Sequence, residues 1–248
     1  MAFYDLPKEA RAALVLQMEA AIAKAVQSGR LAPLKKYAAD EDTYIRKATY
    51  QSLGRLHGAH PQEVLAAIGI LLKETDPKVR QTAINAAGEI GRSDFKAVQH
   101  MMDTGLFDEH HMVRNAVIGS VKKMGEKNPK PVLAWAKGYL RHPDKEIRRE
   151  ICHGIELRGR THPQDILPLL ESLQHDPTAR VRNTLVHVLG QIAYKKGCLE
   201  TVVAALKNWE NQALVKDALV EIIDVHERYK DFAVKTREEA EAYITKSF

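Results

Sequence analysis

Residues 74–91 read ETDPKVRQTAINAAGEIG. Asp76 and Pro77 turn the chain, and Pro77 stands where a proline can open a helix. Val79, Ala83, Ala86, Ala87 and Ile90 then recur at helical spacing, which gives that helix one apolar face. Gly91 is read as its stop. The decisive element is the pair Val79-Arg80. A β-branched aliphatic residue followed by a basic one returns at Ile45-Arg46, Val113-Arg114, Ile147-Arg148, Val181-Arg182 and Val215-Lys216, always 34 residues apart. An unbroken period of this length marks a stacked array of one supersecondary unit.

The segments between these helices are apolar at helical spacing as well. PQEVLAAIGILLKE (61–74) carries Val64, Leu65, Ile68, Leu71 and Leu72 on its apolar side. PVLAWAKGYL (131–140), PQDILPLLESL (163–173) and CLETVVAALKNW (198–209) repeat the plan. Each unit is therefore two antiparallel helices that cannot bury their apolar faces alone. The tryptophan, glycine and tyrosine pattern of tetratricopeptide repeats is missing, whereas the D-P-x-x-[VI]-R turn marks HEAT-type repeats. The expected fold is all-α, an α-α superhelix of about six 34-residue hairpins forming a single domain over 1–248. Within it, 1–30 reads as an N-terminal cap helix, 31–228 as repeats and 229–248 as a C-terminal cap. Asp5-Leu6-Pro7 opens the first cap helix, which runs to about Gln27, and Thr236 with Glu239 makes a capping box for the last.

Composition narrows the function classes. The net charge of +5 is a mild basic bias, compatible with nucleic acid but far from a basic tail. Two cysteines, Cys152 and Cys198, with no CxxC exclude a disulfide framework and suit a reducing cytoplasm. MAFYDLPKEA has acids at Asp5 and Glu9 and no apolar stretch of the signal-peptide kind, and no run is long enough to span a membrane. A cytoplasmic monomer is expected. GxGxxG, GxxxxGK[ST] and GxSxG are absent, which removes the sequence support for nucleotide-dependent or serine-hydrolase chemistry.

In a HEAT hairpin the helix that starts at the Val-Arg pair lines the concave side. Counted from the basic residue, positions +3, +6, +7 and +10 are mostly apolar, and +1 and +5 mostly polar. The polar columns hold Lys47 and Gln51, Gln81 and Asn85, Asn115 and Gly119, Arg149 and His153, Asn183 and His187, Asp217 and Glu221. A spacing of four puts each pair on one helix face, so the columns predict a polar stripe. Lys122 and Lys123 add charge near its middle. Arg46, Arg80, Arg114, Arg148 and Arg182 are expected to form a structural ladder with turn aspartates, for which Asp42, Asp76 and Asp144 occupy the matching position. Arg149 lies outside that column and is the better candidate for a ligand anion. His153 and His187 share column +5 of adjacent repeats and should be neighbours. Eleven histidines occur without HExxH or CxxC spacing, so no metal site is read, and no cofactor is implied. Trp135 is read as a packing residue and Trp209 as core or edge, both off the groove columns.

The run 113–159, VRNAVIGSVKKMGEKNPKPVLAWAKGYLRHPDKEIRREICHGIELRG, followed by DPTARVRNTLVHVLGQIAYKK (176–196), resembles the HEAT-like alkylpurine DNA glycosylases of bacterial DNA alkylation repair. The matching elements are KNPKPVLAW, HPDKEIRR with its double arginine, and VRNTLVHVLGQIA, over about residues 108 to 210. The resemblance implies duplex DNA held in the concave groove by its phosphates. It also implies cleavage of an alkylated base with groove aromatics and a carboxylate, since aromatic faces attract a cationic base and a carboxylate stabilises the sugar or positions water. The family's carboxylate falls here at Arg114 or Asn115, its preceding aromatic at His110 or His111, and its aromatic on the unit-five helix at His187. Its basic residue on the unit-four helix is kept as Arg149. The catalytic residues are thus unassigned, although Asp108, Glu109, Glu150 and Glu156 lie nearby in sequence.

The resulting expectation is a HEAT-repeat binding module with a polar, mildly basic groove formed by Lys47, Asn115, Lys122, Lys123, Arg149, His153, Asn183 and His187. Its partner would be duplex DNA or an acidic protein segment. The alternative is a divergent DNA glycosylase for alkylated bases.

Overall fold

The computed structural model describes residues 3–248, so Met1 and Ala2 of the expected cap lie outside the described residues. The chain falls into two compact units, the first ending at Asn128 and the second starting at Pro129. In unit 1 a short 3-10 turn at Phe3–Asp5 precedes α1 (Lys8–Ser28), α2 (Ala32–Ala38), α3 (Thr43–Leu56), α4 (Pro61–Leu71), α5 (Pro77–Gly91), α6 (Phe95–Leu106) and α7 (His111–Lys127). Unit 2 holds α8 (Pro129–Tyr139), α9 (Lys145–Gly154), α10 (Glu156–Gly159), α11 (Pro163–Glu171), α12 (Ala179–Gln191), α13 (Cys198–Leu206), α14 (Gln212–Arg228) and α15 (Arg237–Ser247). No strand occurs among the described residues. No helix among them is long and apolar enough to cross a membrane.

Helix starts at 43, 77, 111, 145 and 179 keep the period that the Val-Arg pairs announce. The cores follow the predicted columns. Ala87, Val121, Ile155 and Leu189, all at +7, are buried in their respective units. On α4 the buried positions are Val64, Ala67, Ile68 and Leu71, while Leu65 and Leu72 are only half-buried. Trp135 and Trp209 are both buried. The C-terminal capping box is present, with Glu239 N–H donating to Thr236 Oγ1 and Thr236 N–H to the Glu239 carboxylate.

The arginine column is structural, but its carboxylates differ from those expected. Asp42, Asp76 and Asp144 are N-caps: each accepts from the backbone N–H two residues on, at 2.8 Å. A side chain committed to its own helix start points away from the neighbouring repeat. Each arginine instead folds back onto its own turn. The Nη1 groups of Arg46, Arg80, Arg114, Arg148 and Arg182 donate to the carbonyl six residues earlier. In the first four, Nη1 also reaches the carbonyl five residues earlier.

The inter-repeat rungs use the acid two residues before the N-cap. Arg80 Nε and Nη2 donate to Asp108 at 2.7 and 3.0 Å. Arg148 does the same to Asp176 at 2.6 and 3.0 Å. The forked geometry is the strong form of a charge-assisted hydrogen bond. Asp108 and Asp176 also accept from His110 N–H and Thr178 N–H, which shapes their own turns. One side chain thus closes a local turn and receives the preceding repeat.

Gly91 does not stop α5 by a left-handed conformation. Among the described residues only Gly29 and Gly197 have positive φ. A Cβ on Gly91 would lie 2.2 Å from Met124 Sδ, so the glycine is there because α7 packs against it.

Two stability predictions arise from this packing. Leu189→Ala, fully buried, should lose ~2–5 kcal/mol in urea denaturation, as buried aliphatic truncations do. Burial pushes the Asp176 carboxyl up, but the Arg148 bond, the Thr178 N–H and the charges of Arg148 and Arg182 outweigh it and hold it below the ordinary range. Stability from that pair is full above the unfolded carboxylate value of about 4 and is lost as pH falls through the lowered folded value. Arg148→Met should cost roughly 3 kcal/mol at neutral pH and flatten the acid limb of the stability profile.

Candidate functional site

The residues expected to line a groove divide between the units. Unit 1 contains Lys47, Asn115, Lys122 and Lys123; unit 2 contains Arg149, His153, Asn183 and His187.

In unit 1, α3 and α5 enclose a pocket of about 370 Å³ lined by Thr43, Tyr44, Arg46, Lys47, Tyr50, Gln81 and Asn85. Lys47, Gln81 and Asn85 are three of the predicted +1 and +5 positions, and Lys47 is exposed. The lining has two cations, two amides and two phenols but no carboxylate. Lys123 of α7 reaches across α5: its Nζ lies 3.4 Å from Glu89 and 5.5 Å from the centre of the Tyr50 ring. Burial, helped by the Glu89 charge, pushes the Tyr50 phenol up, so it stays a neutral hydrogen-bonding aromatic. Asn115 is exposed on α7 and Lys122 is half-buried. Tyr44 leads to an aromatic cluster, with its ring 4.3 Å from that of Tyr4 and 6.0 Å from that of Phe3. The Asp42 carboxylate holds the Phe3 N–H at 2.6 Å and so secures this turn to α3.

Unit 2 has a different character. His153 of α9 and His187 of α12 stand edge to face with centroids 5.9 Å apart, as their shared column predicts. His187 Nδ1 in turn lies 3.7 Å from Glu221 of α14, the next residue in the same column. Glu156, the first residue of α10, is buried. One of its oxygens receives Arg160 Nε and Nη2 at 2.9 and 2.5 Å, and the other lies 3.1 Å from His153 Nε2. Arg160 Nη2 also donates to Gln191 Oε1 at 2.8 Å, which fixes the guanidinium from α12. Arg149 is engaged by acids of its own helix, Glu146 at 2.9 Å and Glu150 at 3.5 Å. Arg180 pairs with Glu146 and Arg228 with Glu221. Asn183 is exposed on α12. The face is therefore rich in ionic groups that already pair with one another.

Sequence reasoning passed over Tyr44 and Tyr50 as site residues, and named Glu156 only among four carboxylates with nothing to single it out. Tyr50 had a signal: column +4 is aromatic in the first repeat and aliphatic or cysteine in the others. Glu156 had a sharper one. Column +8 is glycine at Gly54, Gly88 and Gly190. A Cβ on Gly88 would lie 2.3 Å from Ser120 Oγ, and one on Gly190 2.6 Å from Glu221 Cγ. Lys122 and Asp224 also fill this column, so it takes a side chain in three of six repeats, and at Glu156 that side chain is a buried carboxylate.

Solved structures with the same arrangement of helices include AlkD2 from Streptococcus mutans, 19% identical, covering 79% of this chain and 97% of that one, with a TM-score of 0.57. The protein smu.31 from Streptococcus mutans UA159 is 18% identical over 81% of this chain and 97% of its own, with a TM-score of 0.53. The chain has a HEAT-like repeat fold. A structure titled as crescerin using a TOG domain array to regulate microtubules in the primary cilium shares this HEAT-like fold, at 17% identity, 76% and 87% coverage and a TM-score of 0.50. No family model and no curated protein matches the sequence.

The Glu156 cluster makes a direct prediction. Glu156→Gln should cost about 1–3 kcal/mol in chemical denaturation, because Arg160 loses a charged acceptor in a buried setting. A neutral effect would mean that the cluster contributes nothing to holding α10.

Proposed function

We propose that this chain is a helical-repeat binding module for nucleic acid, with the α3–α5–α7 face of unit 1 as its working surface. The observation that carries the reading is the acid-free pocket containing Arg46, Lys47, Tyr44 and Tyr50. Lysines and amides at this spacing contact phosphates without reading sequence, and the exposed Tyr44 ring can accept an unstacked base. The resemblance to DNA alkylation repair proteins supports DNA as the ligand. Arg149 is a weaker phosphate contact than Lys47 in this reading, because Glu146 and Glu150 already neutralise it.

A second reading, excision of an alkylated base, rests on that resemblance and on the buried carboxylates Glu150 and Glu156. Against it, both tryptophans are buried. Arg114, one of the two positions where the family's acid falls, ties down its own turn.

Duplex titration at several salt concentrations tests the first reading. Each phosphate contact contributes about −0.9 to the slope of log K against log salt. Lys47→Ala should therefore flatten the slope by about 0.9, and Lys122→Ala/Lys123→Ala by up to twice that, whereas Arg149→Ala changes it little. No binding at low salt would reject nucleic acid and favour an acidic protein segment. Release of methylated bases from alkylated duplex by the full chain would establish the second reading.

A further inference from the structure

The unit 2 cluster does not enter the nucleic-acid reading, and its chemistry points elsewhere. One ligand atom from each of His153, Glu156 and His187 lies within 4.8 Å of the other two. Two imidazoles and a carboxylate are a donor set suited to zinc and its first-row neighbours, with metal–nitrogen and metal–oxygen bonds of about 2.0–2.2 Å. Ligands around such an ion sit a little over 3 Å apart when bonds of about 2.1 Å meet at tetrahedral angles. The 3.1 Å between His153 Nε2 and the Glu156 carboxylate already matches that edge. Closing the remaining distance requires rotation of His187, whose side chain is 45% exposed and lies beside Glu221.

The supporting shell is in place. Arg160, itself held by Gln191 Oε1, fixes the far oxygen of Glu156, so the near oxygen is presented in one orientation. Glu221 stands beside His187 Nδ1, the position from which a carboxylate orients a metal-binding imidazole. His153 is 35% exposed, which leaves the mouth of the cluster open to water.

We propose that His153, Glu156 and His187 form a site for one divalent transition-metal ion of the zinc and cobalt class, with a coordination position open to solvent. The ligands come from three places in the fold: the end of α9, the start of α10 and the middle of α12. His153 and Glu156 stand three residues apart, so helical spacing puts them on one face, and Ile155 between them keeps an αR backbone.

The test is titration of Co²⁺ into the full-length protein free of any affinity tag, read by visible absorption and by thermal unfolding. The expected result is one ion per chain, a four- or five-coordinate cobalt spectrum and a raised Tm. His187→Gln, chosen because the side chain is only half-buried and checked by its metal-free Tm, should weaken binding at least about tenfold and abolish the Tm shift. His153→Gln should do the same. His110→Gln/His111→Gln removes the other close histidine pair, stacked at 4.8 Å in unit 1, and should leave the spectrum intact. The proposal is overturned if wild type binds no more tightly than His187→Gln, or if the signal follows His110 and His111. DNA binding by unit 1 is measured in separate samples without metal, so failure of either reading leaves the other standing.

Discussion

One interaction organises each repeat: an arginine at the head of the second helix that clamps the carbonyls of its own turn. The guanidinium supplies enough donors to do this and still reach the next repeat. Where the following turn begins with aspartate, as at Asp108 and Asp176, the arginine completes a rung. Turn conformation, helix start and repeat spacing are therefore set by the same few atoms. A lysine has no planar fork, and the last repeat, which carries Lys216, stands outside the arginine series.

The two units carry the same columns to different electrostatic ends. In unit 1 the polar positions are lysine, glutamine and asparagine, and the pocket beside them has no acid. In unit 2 the equivalent positions carry arginine and histidine facing glutamates supplied by the same and neighbouring helices. A face of the first kind attracts anions over a distance. A face of the second kind is internally compensated and suits short-range, directional ligation.

Much of the fold was legible in the sequence because a strict period leaves little freedom. The Val-Arg phase gave helix starts, and the +7 column gave the interior, as Ala87, Val121, Ile155 and Leu189 show. The ladder acids were misassigned because Asp42, Asp76 and Asp144 satisfy two patterns at once, the HEAT turn and the N-cap, and the cap lies closer along the chain. The site was less legible. Column counting placed His153 beside His187, since both belong to regular helix. It did not bring Glu156 to them, because Glu156 stands at +8, outside the polar columns that were counted, although it lies three residues on from His153.

The glycine column has a consequence for how the chain finds its native arrangement. Repeats built on one plan can dock one unit out of phase during folding, with most apolar contacts still made. Gly88 and Gly190 accept a neighbouring helix at a distance that no side chain tolerates. Lys122, Glu156 and Asp224 occupy that column in their own repeats, and Arg160 holds the Glu156 carboxylate. A repeat carrying a charged side chain there cannot take the place of one that carries only hydrogen. The order of glycine, lysine, glutamate and aspartate along this column gives an otherwise self-similar chain an address, and it separates the correct stacking order from its slipped copies.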